Sequence, residues 1–195
     1  MAKFIVTGAT GFIGRHVVAT LLERRHSVVG IHRGKTPPSL ANNPRFTSAK
    51  ADLTKTQKAE IWAPILDGAD AVINCDDTQS APLALFGACS EFKVTRFIQI
   101  SEAKSNDESL TKTDLDWVIV RPSLVYARGF LGGTSSLHSM AAFPGAILLS
   151  GDGQQSFQPI YMGDVVGIIC ELCEASSFSR KIIEPVGPET LTLKE

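Results

Sequence analysis

The sequence has little of what marks several protein classes. Its four cysteines, Cys75, Cys89, Cys170 and Cys173, are too few for a disulfide framework in a chain of 195 residues. Cys170 and Cys173 form a C-x-x-C, but within an apolar helical run, VVGIICELC, rather than at a helix start after a strand. They read as small buried apolar residues, not as a redox pair. The four histidines, at 16, 26, 32 and 138, show no metal-ligand spacing, and no metal site is expected. A net charge of −1 gives no general pull toward nucleic acid or anionic membrane. No apolar run is long enough for a transmembrane helix. A first strand starting at residue 3 leaves no room for a leader in the sequence as written, so the cytoplasm is the expected compartment. Internal repeats and low-complexity tracts are missing too. Tyrosine is scarce, with two in the whole chain.

What is present is an ordinary globular composition, 44% apolar and 20% charged. That length and composition fit one domain spanning 1–195, with 123–195 contributing a small lobe. The first thirty residues organise the rest. Lys3 to Thr7 (KFIVT) reads as a buried strand, and Thr7-Gly8-Ala9-Thr10-Gly11-Phe12-Ile13-Gly14 as a glycine-rich turn. Ile13, Val17, Val18, Leu21 and Leu22 then mark one face of a helix, and Val28 to Ile31 a second strand. Strand, glycine turn, helix, strand is the opening unit of a dinucleotide-binding fold. Gly8 allows the tight turn, Gly11 lets a pyrophosphate approach the backbone, and Gly14 lets helix and sheet pack closely. The helix N-terminus offers N–H groups and a partial positive charge to phosphates.

Further strands are expected at 45–50, 70–75, 95–100, 116–121, 146–150 and 180–184, with helices at 55–66, 82–92 and through Glu174. The predicted architecture is α/β: a doubly wound parallel sheet of order 3-2-1-4-5-6 plus a seventh strand, with a small C-terminal extension on the substrate side. At the end of strand two, where a carboxylate would bond the ribose hydroxyls of NAD, stand His32 and Arg33, with Lys35 close behind. A guanidinium can hold a 2′-phosphate that a carboxylate would repel, so NADP is favoured over NAD. The other account of Arg33 and Lys35 is a pair of solvated loop charges. Asp164 is expected to cap the last long helix, and Thr192-x-x-Glu195 has the form of a capping box, as though another helix were beginning.

The spacing G-x-x-G-x-x-G in TGATGFIG resembles the short-chain dehydrogenase/reductase superfamily, above all its extended and atypical, epimerase/dehydratase-like branches. The resemblance runs along roughly residues 3 to 195. It implies that Asp52 and Leu53 (ADLT) flank the adenine, although Asp52 serves equally well as a helix cap. It places Asn74 and Cys75 (DAVINC) by the nicotinamide ribose, with Asp76-Asp77 where small residues are usual. Arg121-Pro122-Ser123, in RPSLVY, would pass the nicotinamide. Ser101 would bond the substrate carbonyl or alcohol. The superfamily's Tyr-x-x-x-Lys is where the sequence departs. Lys112 matches the lysine, but Glu108 stands in the tyrosine's place, and no tyrosine occurs in 102–115. Tyr126 lies on another loop, where packing or substrate contact suits it.

TGATGFIG, DLDWVIVRPSLVY, GGTSSL, GDGQQSFQPI and GPETLTLKE together resemble the branch holding the NADPH-binding 39-kDa accessory subunit of respiratory complex I and its bacterial relatives. Two functions are therefore expected in competition. One is an NAD(P)-dependent oxidoreductase or epimerase acting on a small substrate, with Ser101 and Lys112 as the remaining catalytic group. The other is a non-catalytic NADPH-binding protein with a structural, assembly or redox-sensing role beside a protein partner.

Overall fold

Four of the five residues of the first strand, β1 (Lys3–Thr7), are buried. A strand shielded on both faces belongs in the middle of a sheet covered by helices on each side. The computed structural model has this arrangement, and it describes residues 1–50, 59–76, 82–101, 107–127, 130–131, 154, 156–175 and 178–192. Six further strands join β1: β2 (Ser27–His32), β3 (Phe46–Lys50), β4 (Ala71–Asn74), β5 (Arg96–Ile100), β6 (Trp117–Val120) and β11 (Lys181–Ile183). They form one seven-stranded sheet of order β11-β6-β5-β4-β1-β2-β3. Every neighbouring pair is parallel. The expected order is present, with β11 as the seventh strand beside β6.

Successive residues of β1 part to two cores, as the two-residue period of a strand requires. Phe4 and Val6 meet Val17, Val18 and Leu21 of α1 (Gly14–Glu23) and Val166 and Ile169 of α6 (Met162–Glu174). Ile5 faces Trp62 and Leu66 of α3 (Ala59–Leu66), Leu85 and Cys89 of α4 (Pro82–Glu91), and Leu110 of α5 (Asp107–Thr111). A short α2 (Pro38–Ala41) leads into β3.

Two helices stop without glycine. After α1, Arg25 takes φ 65°, with its N–H on Leu22 O and that of His26 on Leu21 O. After α4, Lys93 takes φ 53°, bonded in the same pattern to Ser90 and Cys89. These are Schellman closures that return each helix sharply to the sheet.

The later chain adds small strands: β7 (Val125–Ala127), β8 (Phe130–Leu131), β9 (Ser156–Phe157), β10 (Ile160–Tyr161) and β12 (Leu191–Thr192). They pair as β10-β7-β8 and β12-β9. Asp164 does not cap α6. Tyr161 holds the N-cap position without a side-chain bond, and Asp164 lies within the first turn, where its charge favours the helix dipole. Thr192 ends β12. The strand expected at 146–150, the turn at 151–153 and residues 193–195 lie outside the described residues.

Candidate functional site

From β1 the chain winds through α1, β2 and α2 to β3, and then returns to β4 on the other side of β1. The connections diverge above the C-terminal ends of β1 and β4, which is where open α/β sheets form their crevice. The glycine turn sits there, tied on both sides. Ala9 N–H donates to Ile31 O of β2 at 3.1 Å, and Cys75 N–H to Thr7 O at 3.3 Å.

Close packing rather than flexibility explains the glycines. Gly8 has φ +61°, and a Cβ on it would lie 2.7 Å from Cys75 O. A Cβ on Gly14 would lie 2.2 Å from Gly8 O, and one on Gly11 3.0 Å from that same oxygen. Gly11 N–H closes the turn onto Gly8 O at 2.8 Å. Thr10 and Gly11 are exposed, while Phe12 and Ile13 are half-buried at the entry to α1. Ile13 caps α1 without a side-chain bond, and no acidic residue stands in its first turn. The helix end thus presents backbone N–H groups with no carboxylate of its own to meet them. A backbone-only cradle beside such a helix end fits a pyrophosphate.

On the β2 side, His32 is buried and bonded. Its Nδ1 lies 3.1 Å from Gly34 O and its Nε2 3.0 Å from Ser48 Oγ on β3. Arg33 and Lys35 are exposed. Asp52 and Leu53 lie outside the described residues.

On the β4 side, three buried polar side chains run across the sheet. Thr7 Oγ1 donates to Asn74 Oδ1, Asn74 Nδ2 donates to Gln99 Oε1 at 2.9 Å, and Gln99 Nε2 donates to Ile100 O at 2.8 Å. Gln99 is absent from the sequence-based expectations. Its signal was a lone amide inside the apolar strand RFIQI, which burial obliges to find partners. Ser101 follows at the end of β5, buried, its N–H on Val120 O at 3.0 Å. Burial, with smaller contributions from Cys170 and Asp76, pushes the Cys75 thiol up to about 12, so it stays neutral. Burial likewise holds Cys170 at about 11 and Cys173 well above its ordinary range, consistent with two apolar fillers.

Arg121, Pro122 and Ser123 leave β6 at this same edge and are fastened to the later chain. Arg121 N–H donates to Ile183 O, Ser123 N–H to Pro185 O and Ser123 Oγ to Gln158 O. Ser123 therefore places a loop rather than presenting a hydroxyl. Tyr126 packs its ring on Tyr161, centroids 5.7 Å apart.

Lys112 follows the C-terminus of α5, on the limb leading to the start of β6. Two residues on, Arg180 Nη2 donates to Asp114 O while Arg180 N–H holds Trp117 O.

A family profile described as NAD(P)H-binding matches residues 8–129, from the glycine turn through the Tyr126 loop. The chain belongs to this NAD(P)H-binding family. An uncharacterized protein of Mycobacterium tuberculosis is 28% identical over 151 residues, 73% of this chain and 17% of that protein. The 3-beta-hydroxysteroid dehydrogenase of Mycolicibacterium neoaurum is 34% identical over 74 residues, 38% of this chain and 19% of the enzyme. The chain thus spans under a fifth of the length of these two relatives.

Among solved structures, a dTDP-glucose 4,6-dehydratase from Bacillus anthracis in complex with NAD superposes with a TM-score of 0.83 at 13% identity, over 100% of this chain and 78% of that one. A UDP-glucose 4-epimerase from Thermotoga maritima gives 0.77 at 16% identity, over 98% and 79%. At such identities the likeness is one of fold. This NAD(P)H-binding chain has the Rossmann fold of the epimerase/dehydratase type.

Proposed function

We propose that the chain binds NADP(H) along the C-terminal edge of its sheet and acts as an oxidoreductase or epimerase-type enzyme on a small hydroxyl or carbonyl substrate. The observation that carries this is the cradle in which Gly8, Gly11 and Gly14 leave only backbone facing the start of α1. A pyrophosphate can approach such a backbone surface between a strand end and a helix start. Arg33 and Lys35 are the cations available to a 2′-phosphate. Ser101 offers its hydroxyl beside the reacting carbon, and the backbone of 121–123 borders the nicotinamide. The elements after residue 123 serve as the substrate-side wall of a single domain. The dinucleotide, when bound, supplies hydride chemistry, and the protein supplies position.

A second reading rests on sequence alone, the lack of a tyrosine in 102–115: an NADPH-binding protein without turnover. One experiment addresses both. Thermal unfolding is followed with NADPH or NADH, for the native chain and for Gly11→Val. A ligand that binds only the folded state raises its melting temperature. NADPH should raise it more than NADH, and the variant should lose the effect. No shift with either dinucleotide refutes the site, and the reverse order refutes the preference for NADP. NADPH oxidation, followed by absorbance with UDP-glucose, dTDP-glucose and simple ketones, then separates an enzyme from a binder.

A further inference from the structure

The loop after β2 has an alternating construction. His32, Gly34 and Thr36 are tied inward, whereas Arg33 and Lys35 point to solvent. Gly34 O can only accept, so the His32 proton is assigned to Nδ1, and Nε2 is left as an acceptor. Thr36 Oγ1 donates to Ser48 Oγ at 2.8 Å, and the Ser48 hydroxyl in turn donates to His32 Nε2 at 3.0 Å. Thr36, Ser48, His32 and Gly34 thus form one chain of hydrogen bonds running from loop to β3 to β2 and back to the loop. Every member has a hydrogen-bond partner. Arg33 sits between the ring and the carbonyl that the ring holds, so its backbone is fixed on both sides. Ile31, two residues earlier, accepts the bond from Ala9 that pins the glycine turn. The loop is therefore registered to the phosphate cradle. Among the described residues neither Arg33 nor Lys35 makes a hydrogen bond or ion pair, so both charges are uncommitted.

Resting on the NADP reading above, we propose that His32 is a positioning residue for the 2′-phosphate. It replaces the usual ribose-binding carboxylate not by contacting the cofactor but by clamping the loop that presents Arg33 and Lys35. A flexible loop would have to be ordered on binding, and that cost falls only on the ligand that uses its cations. The clamp should therefore matter for NADPH and be indifferent to NADH. A merely structural histidine would affect both alike.

The test measures dissociation constants for NADPH and NADH with the full chain, using Arg33→Ala, His32→Ala, the double variant and Ser48→Ala. Arg33→Ala should weaken NADPH about tenfold or more and leave NADH unchanged. His32→Ala should weaken NADPH about fivefold, again without effect on NADH, although it removes no charge. The double variant should be no worse than Arg33→Ala alone, because a clamp without its cation has nothing left to position. Ser48 is exposed, so Ser48→Ala removes one link with little risk to folding, leaves Thr36 Oγ1 3.2 Å from His32 Nε2, and should act in the same direction but more weakly. Equal weakening of NADPH and NADH by His32→Ala and Ser48→Ala, or additive effects in the double variant, overturns the clamp. If Arg33→Ala leaves the ratio of the two affinities unchanged while His32→Ala alters it, the NADP reading through Arg33 fails instead. The clamp then falls with the reading that supports it.

Discussion

The two edges of the sheet are built from different chemistry. At the N-terminal edge the described residues form charge pairs. Arg96 meets Asp116 at 2.7 Å, and Arg24 meets Glu171 and Glu174 at 3.0 and 3.1 Å. His26 reaches Glu174, and Lys3 N–H donates to Asp70. At the C-terminal edge the buried polar residues are Thr7, His32, Asn74, Gln99 and Ser101, and Arg121–Glu184 is an ion pair there among the described residues. A hollow of about 390 Å³ opens at the charged edge, between Phe4, His26, Arg96 and Asp116. Ion pairs satisfy one another and hold the strand starts together. An edge with open backbone N–H groups, a helix terminus and uncommitted cations can instead receive an anion.

The largest effect that could break this contrast comes from the cradle. Gly14→Ala places a methyl 2.2 Å from Gly8 O and 2.9 Å from Gly8 C, both backbone, so α1 must move off β1. We expect a loss of about 3 kcal/mol in urea unfolding. Gly11→Ala meets the same oxygen at 3.0 Å and is exposed, so it should cost under about 1 kcal/mol while weakening dinucleotide affinity about tenfold. The pair separates packing from binding within one turn. Should Gly11→Ala destabilise as much as Gly14→Ala and leave affinity intact, the turn is structural only.

At the other edge, Asp116→Ala takes an ion-pair partner at 2.7 Å from a guanidinium whose side chain is 5% exposed. Asp116 itself is about one-third exposed, which softens the loss to about 2 kcal/mol. Affinity for NADPH should not change, because the pair stands a full strand length from the cradle. A parallel fall in affinity would mean that the two edges are coupled and that the division drawn above is false.

How much of this was legible beforehand follows the same division. The glycine turn, both flanking strands and the order of the sheet follow from local pattern, because a two-residue or helical period survives in one sequence. Gly11 and Gly14 could be named because their reason is backbone geometry within seven residues, whereas Gly8 is also constrained by Cys75, far along the chain. The Asn74–Gln99, His32–Ser48, Thr36–Ser48 and Arg96–Asp116 bonds join residues 12 to 25 positions apart, and no local rule brings them together. Lys112 is a different case: a motif match located it in sequence, and the structure sets it just after α5, on the limb leading to β6.

The smallest effect is the most direct probe of the C-terminal edge. His16 lies in the first turn of α1, and its Nε2 is buried without a hydrogen-bond partner. Desolvation, and then the neighbouring Arg15 charge, hold its imidazole below the ordinary 6.5. The sign of the pH effect follows. The unfolded residue takes up a proton first, so His16 contributes a loss of stability as pH falls through 6.5, and none above it. Arg15→Gln should move the NMR titration midpoint of His16 part of the way back up, since desolvation remains. A dinucleotide should move it up as well, because phosphates at the start of α1 favour the imidazolium one turn away. The direction is specific. Binding that merely excluded water would push the midpoint further down, and binding on the β11 side would leave it where it was. An upward shift with either NADPH or NADH therefore locates the pyrophosphate at the cradle independently of Arg33, and a shift in the other direction would remove the phosphates from α1 altogether.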